Sequence, residues 1–98
     1  MAKYLITWES NMSMMPTDPK EQAAMRMKLL EMTKQNLKEG KISDWGIFLG
    51  GYKGYAIGQG SATDMAIGTA QFSPYVTFNV QEVLSVDEML EAMKSLMA

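Results

Sequence analysis

The spacing of apolar residues along this chain switches between a period of two and a period near 3.6, and the switches mark its elements. From Lys3 to Glu9, Tyr4, Ile6 and Trp8 alternate with Leu5, Thr7 and Glu9, which predicts a first strand. Ser10 to Thr17 is loop. Asp18-Pro19-Lys20-Glu21 is a helix start, with Asp18 as N-cap, Pro19 at the first helical position and Glu21 closing a capping box. That helix is expected to run to about Glu39, where Gly40 stops it. Two strands then follow, at about 42–50 and 53–60, joined by a glycine turn.

Those two strands sort their side chains by size. Trp45, Ile47 and Leu49 alternate with Gly46, Phe48 and Gly50, while Tyr55 and Ile57 alternate with Gly54, Ala56 and Gly58. The alternation predicts one bulky and one nearly bare hairpin face. Helices, or a cavity, are expected over the bare face, and a second subunit over the bulky one. The alternation alone does not fix which face looks outward.

Ser61-Ala62-Thr63-Asp64 offers a cap for a short helix to about Phe72. After Pro74, Tyr75 to Val83 predicts a long strand, with Val76, Phe78 and Val80 on one face and Tyr75, Thr77 and Asn79 on the other. Ser85 and Glu88 form a further capping box, and Leu84 is placed to staple onto Met89. The last helix carries Val86, Met89, Leu90, Met93, Leu96 and Met97 on one stripe.

The order β-α-β-β-α-β-α is that of two β-α-β units split around a hairpin. It predicts an α+β, ferredoxin-like βαββαβ fold with a C-terminal helix and a four-stranded antiparallel sheet covered by helices on one face. The other sheet face is expected to need a partner.

Composition narrows the chemistry. Ninety-eight residues fit one domain, spanning 1–98, whose thin core makes dimerisation a natural supplement. The chain has no Cys and no His, which removes disulfides, thiolate and imidazole metal sites, Cys nucleophiles and His bases. No cofactor and no metal are expected. A net charge of −2 without a basic run gives no nucleic-acid footprint. Tyr4-Leu5-Ile6 is too short for a signal peptide core, and no apolar run is long enough to span a membrane, so a soluble cytoplasmic protein is expected. The eleven Met residues fit flexible core filler, except Met12, Met14 and Met15, whose loop position fits an adaptable binding surface.

Three stretches carry a family likeness: Tyr4-Leu5-Ile6-Thr7-Trp8-Glu9, the hairpin from Trp45-Gly46 to Gly58, and the run from Phe72-Ser73-Pro74 through Val80 to Glu88. Through them the chain resembles the dimeric α+β barrel superfamily, nearest its small uncharacterised members. The likeness to the muconolactone-isomerase, YCII-like and antibiotic-biosynthesis-monooxygenase groups is more distant. The resemblance implies a homodimer with its two sheets face to face and a pocket in the barrel or between sheet and helices. It carries over no catalytic motif. The His of YCII-like and haem-degrading relatives is missing, and Trp8, Asn11 and Tyr75 only imitate the Asn, Trp and Tyr of cofactor-free monooxygenases.

Four groups of residues are candidates for chemistry. Arg26, the sole arginine, falls with Thr33 inside the apolar arc of the first long helix. There it is either an ion pair, with Glu9 or Glu82, or a clamp for a ligand carboxylate. Trp8, Glu9 and Asn11 end the first strand, with Glu9 a general-base candidate or simply a solvated carboxylate. Tyr55, Tyr75, Thr77 and Asn79 are polar groups for the wall of an apolar pocket or for a subunit interface. Gly50-Gly51-Tyr52-Lys53-Gly54 is a hairpin turn and not a phosphate loop, because a strand follows it. Three functions are therefore set against one another: a homodimer binding a small apolar or aromatic molecule, a cofactor-independent oxygenase or isomerase for a planar apolar substrate, and a protein-interaction module.

Overall fold

The computed structural model describes residues 2–98. Its elements are β1 (Lys3–Ser10), α1 (Pro19–Lys38), β2 (Ile42–Ile47), β3 (Lys53–Gln59), α2 (Ala62–Ala70), β4 (Val76–Val83) and α3 (Val86–Met97), with one 3₁₀ turn at Met12–Met14. The strands form one antiparallel sheet in the order β2-β3-β1-β4, the ferredoxin-like arrangement.

Local signals set most of the boundaries. The Asp18 carboxylate accepts the Glu21 backbone N–H at 3.1 Å and Pro19 opens α1; Glu21 does not return the bond, so the expected box is a simple cap. Gly40, at φ +77°, ends the helix in the left-handed conformation glycine tolerates. Ser61 with Asp64, and Ser85 with Glu88, make complete capping boxes at α2 and α3. β2 stops at Ile47, earlier than its apolar run predicts. The chain already turns there, with the Phe48 N–H on the Lys53 carbonyl and Gly51 at φ +83°.

The register changes the picture of the hairpin. Trp45 lies opposite Ala56, Gly46 opposite Tyr55 and Ile47 opposite Gly54. Directly opposed residues share a face, so each large side chain covers a small neighbour and neither face is bare. The expected bulky dimer face with Trp45, Ile47, Tyr55 and Ile57 together does not exist. A β-bulge between Ile42 and Asp44 kinks β2 near its start.

Tyr4, Ile6 and Trp8 of β1 and Ala56 of β3 point to the helix side and are buried. Tyr4, Ile6 and Ala56 form the small core with Met65 of α2, and Ile42, Trp45 and Phe78 pack around it. Gly58 lets α2 come close, since a Cβ there would stand 2.6 Å from the Met65 sulfur. The Phe72 and Phe78 rings meet edge to face at 5.9 Å.

α3 does not join this body. All its residues are exposed, Leu90 at 55% and Leu96 at 77%. The chain extends over 62 × 25 × 21 Å, with a radius of gyration of 16.2 Å against about 13 Å for a compact domain of this length.

Candidate functional site

The helix side of the sheet is not filled. Between it and α1 and α2 runs a cleft of about 1220 Å³. Trp8, Trp45, Ile47 and Phe78 form its floor; Met15, Met27, Leu30, Ile67 and Phe72 are among its walls. On α1 the lining residues Ala23, Arg26, Met27, Leu30 and Thr33 recur at helical spacing, so one face of the helix looks into the cleft. Met27 (59%), Leu30 (46%) and Ile67 (57%) are exposed although they face inward, because the cleft is open to water. Thr33 is buried there, its hydroxyl donating to the Leu29 carbonyl at 2.9 Å.

The two tryptophans of the floor pack against each other. Their rings stack at 5.5 Å with planes 9° apart. The Trp8 indole N–H is buried and finds no hydrogen-bond partner among the described residues. The ring lies directly over Gly54, where any Cβ would collide with it.

Arg26 stands at one end of the cleft. Its Nη2 donates to the Gly51 carbonyl of the hairpin turn, and its Cζ sits 5.3 Å from the centroid of the Tyr52 ring. The Ser10 N–H donates to the Tyr52 carbonyl at 2.7 Å, so the same turn is also tied to the end of β1. Glu9 and Glu82, the ion-pair candidates from sequence, are not its partners. Their register places Glu9 between Lys53 and Thr77 on the open sheet face, and Glu82 opposite Tyr4 near the far end of β1. At the other end of the cleft Glu39 is paired with Lys41, and Asp64 is engaged in its helix cap. Glu39 is 3.3 Å from Lys41, and the Gln35 amide, then Lys41, holds its carboxyl below the usual range. Asp64 is held down by the Ser61 backbone N–H and hydroxyl.

The structure divides the residues singled out from sequence. Trp8 and Arg26 line the cleft. Glu9, Thr77 and Asn79 instead border a shallow depression of about 320 Å³ that also includes Thr7 and Lys53. Asn11 braces the loop: its Nδ2 donates to the Pro74 carbonyl at 3.1 Å, its Oδ1 accepts from Ser13 at 2.7 Å, and its backbone N–H reaches the Tyr75 carbonyl. Asn11 and Tyr75 are thus neighbours at the loop, without Trp8 or Glu9 joining them in one pocket. Tyr55 shares the open face with Thr7 and Gly46, and donates its hydroxyl to Asp44 at 2.7 Å. That bond favours the neutral phenol and raises the Tyr55 pKa. Of the loop methionines, Met15 is buried in the cleft wall while Met12 and Met14 stay exposed.

Sequence reasoning passed over Met27, Leu30, Ile67 and Trp45 as cleft residues. Their period identifies a core-facing stripe, and the same period serves an unfilled cleft. Among the described residues no three acidic side chains gather as a metal would require, and no helix is long and apolar enough to cross a membrane.

A family model described as a domain of unknown function, DUF3303, matches residues 2–97. The chain belongs to the DUF3303 family. The match takes in every strand and helix of the DUF3303 domain, cleft and α3 included. No curated protein matches the chain.

Proposed function

We propose that this DUF3303 domain is a homodimer of the dimeric α+β barrel type that binds a small apolar or aromatic molecule in the cleft between its sheet and helices. The observation that carries the binding role is the cleft itself. It is of ligand size, its floor is aromatic, and few polar groups interrupt its walls. The enzymatic alternative has less support, because Glu9, Asn11 and Tyr75 do not converge on the cleft.

Self-association is favoured by surface area. A folded monomer of this mass exposes about 5600 Å², whereas this chain exposes 6992 Å². The excess is larger than the roughly 800 Å² per partner of a standard interface. The α3 stripe of Val86, Met89, Leu90, Met93, Leu96 and Met97 is apolar and exposed along its whole length. Leu5, Tyr55 and Ile57 on the open sheet face are only half-buried and add to the apolar surface.

Native mass spectrometry of freshly purified protein tests both parts. A dimer that releases a bound apolar molecule on denaturation is expected. A monomer overturns the dimer, and a ligand-free chain that also leaves an added hydrophobic dye unbound overturns the binding role.

A further inference from the structure

We infer that Arg26 is the headgroup receptor of the cleft, and that its ligand is an elongated apolar molecule ending in a single carboxylate. The inference rests on the cleft being a ligand site and specifies what enters it.

Arg26 is half-buried in an apolar wall, and among the described residues no carboxylate lies within ion-pair distance of it. A half-buried guanidinium among apolar side chains is less well hydrated than one at the surface, and it favours a carboxylate partner with which it can share two N–H bonds. The contacts it does make orient the guanidinium without neutralising it. One N–H goes to the Gly51 carbonyl, and the Tyr52 ring lies beside the cationic carbon. Arginine has five N–H donors in a rigid fork, so donors remain for the two oxygens of a carboxylate. One guanidinium balances the charge of a monoanion, whereas a phosphate dianion would keep one charge uncompensated in this apolar wall.

The rest of the cleft sets the shape of the ligand. Arg26 and Glu39 are thirteen residues apart on or next to α1, about 20 Å at 1.5 Å per residue. Met27, Leu30, Trp45 and Ile67 line the space between. The Glu39–Lys41 pair at the far end is self-neutralised. Among the described residues the cleft therefore has one unmatched cation, Arg26, at one end of a long apolar trough, while Glu39, Lys41 and the capped Asp64 leave the other end net negative; this orients a ligand with its carboxylate at Arg26 and its tail towards α2.

The test is a titration of the intact protein with dodecanoate and with 1-dodecanol, both kept below the concentrations at which they aggregate. Binding is read from the emission of Trp8 and Trp45. Wild-type protein is expected to bind dodecanoate at least tenfold more tightly than the alcohol. Arg26→Met removes that preference while keeping alcohol binding, and Arg26→Lys restores part of it. Equal wild-type affinity for acid and alcohol overturns the headgroup role and leaves the cleft as a ligand site. Binding of neither probe overturns the ligand site as well. The wild-type comparison alone decides the headgroup question if an Arg26 variant fails to fold.

Discussion

Trp8 and Trp45, on strands that do not touch each other, stack at 5.5 Å across the intervening strand β3. Gly54 makes room for the ring from β1. A Cβ at Gly54 would run into both the Trp8 indole and the Gly46 carbonyl, and the carbonyl, being backbone of the paired strand, cannot swing aside as a flexible side chain would. Gly54→Ala is therefore expected to cost about 1–3 kcal/mol. In a chain of this size that lowers the melting temperature by roughly 4–8 °C for each kcal/mol. Thermal unfolding followed by tryptophan fluorescence checks this; a variant melting with the wild type rules out the close ring-to-strand contact.

The alkaline side of the stability profile should depend on Tyr55. Its hydroxyl donates to Asp44, which raises its folded pKa above the ordinary value of about 10. A raised pKa gives stability that is complete below the unfolded value and is lost as pH rises through the folded one. Tyr55→Phe is expected to flatten that alkaline loss. Urea midpoints measured from neutral pH upward would show it, and an unchanged slope would mean that the bond does not persist in solution.

The acid side should depend on the caps. Asp64 and Glu88 are held below their usual values, each chiefly by the backbone N–H of its capping serine and then by that serine's hydroxyl. Depressed carboxyl values give stability that is present above the unfolded pKa and is lost as pH falls through the folded one. Ser61→Ala is expected to cost about 0.5–2 kcal/mol near neutral pH and to move the acid loss from Asp64 to higher pH. Chemical denaturation at a series of pH values from neutral downward reads both effects.

Charges on the α3 stripe should act on assembly before they act on the fold. Leu90→Glu and Met93→Glu alter side chains that touch nothing essential in a single chain, where both are exposed. Light scattering coupled to gel filtration is expected to show a dimer for the wild type and a monomer for the double variant, with the strand signal in circular dichroism retained. A double variant that remains dimeric removes α3 from the interface.

Much of this architecture was legible in local sequence, because local bonds set it. Asp18, Ser61, Ser85 and Gly40 each satisfy or release backbone groups within a few residues, and all four mark real boundaries. The pairing of β2 with β3 was not legible. Size alternation along each strand is the same whether Trp45 meets Ala56 or its neighbour, and only the turn at Phe48–Lys53 decides. The site was visible in half. The place of Arg26 in an apolar helical arc follows from spacing alone. Its contacts, a carbonyl and a ring in the turn 25 residues away, come from tertiary approach that spacing does not encode. For the same reason Met27 and Leu30 look identical in sequence whether the space before them is filled or empty.

The bulge in β2 has a further effect at the rim of the sheet. β2 and β4 are the two strands with an unpaired side, and such rows of N–H and C=O groups are templates for runaway strand addition. The kink between Ile42 and Asp44 breaks the straight run on the β2 side, and Asp44 places a carboxylate beside it. Edge-to-edge addition is thereby discouraged at β2, so that β4, at the opposite rim, is the edge that keeps a regular row of unpaired backbone groups.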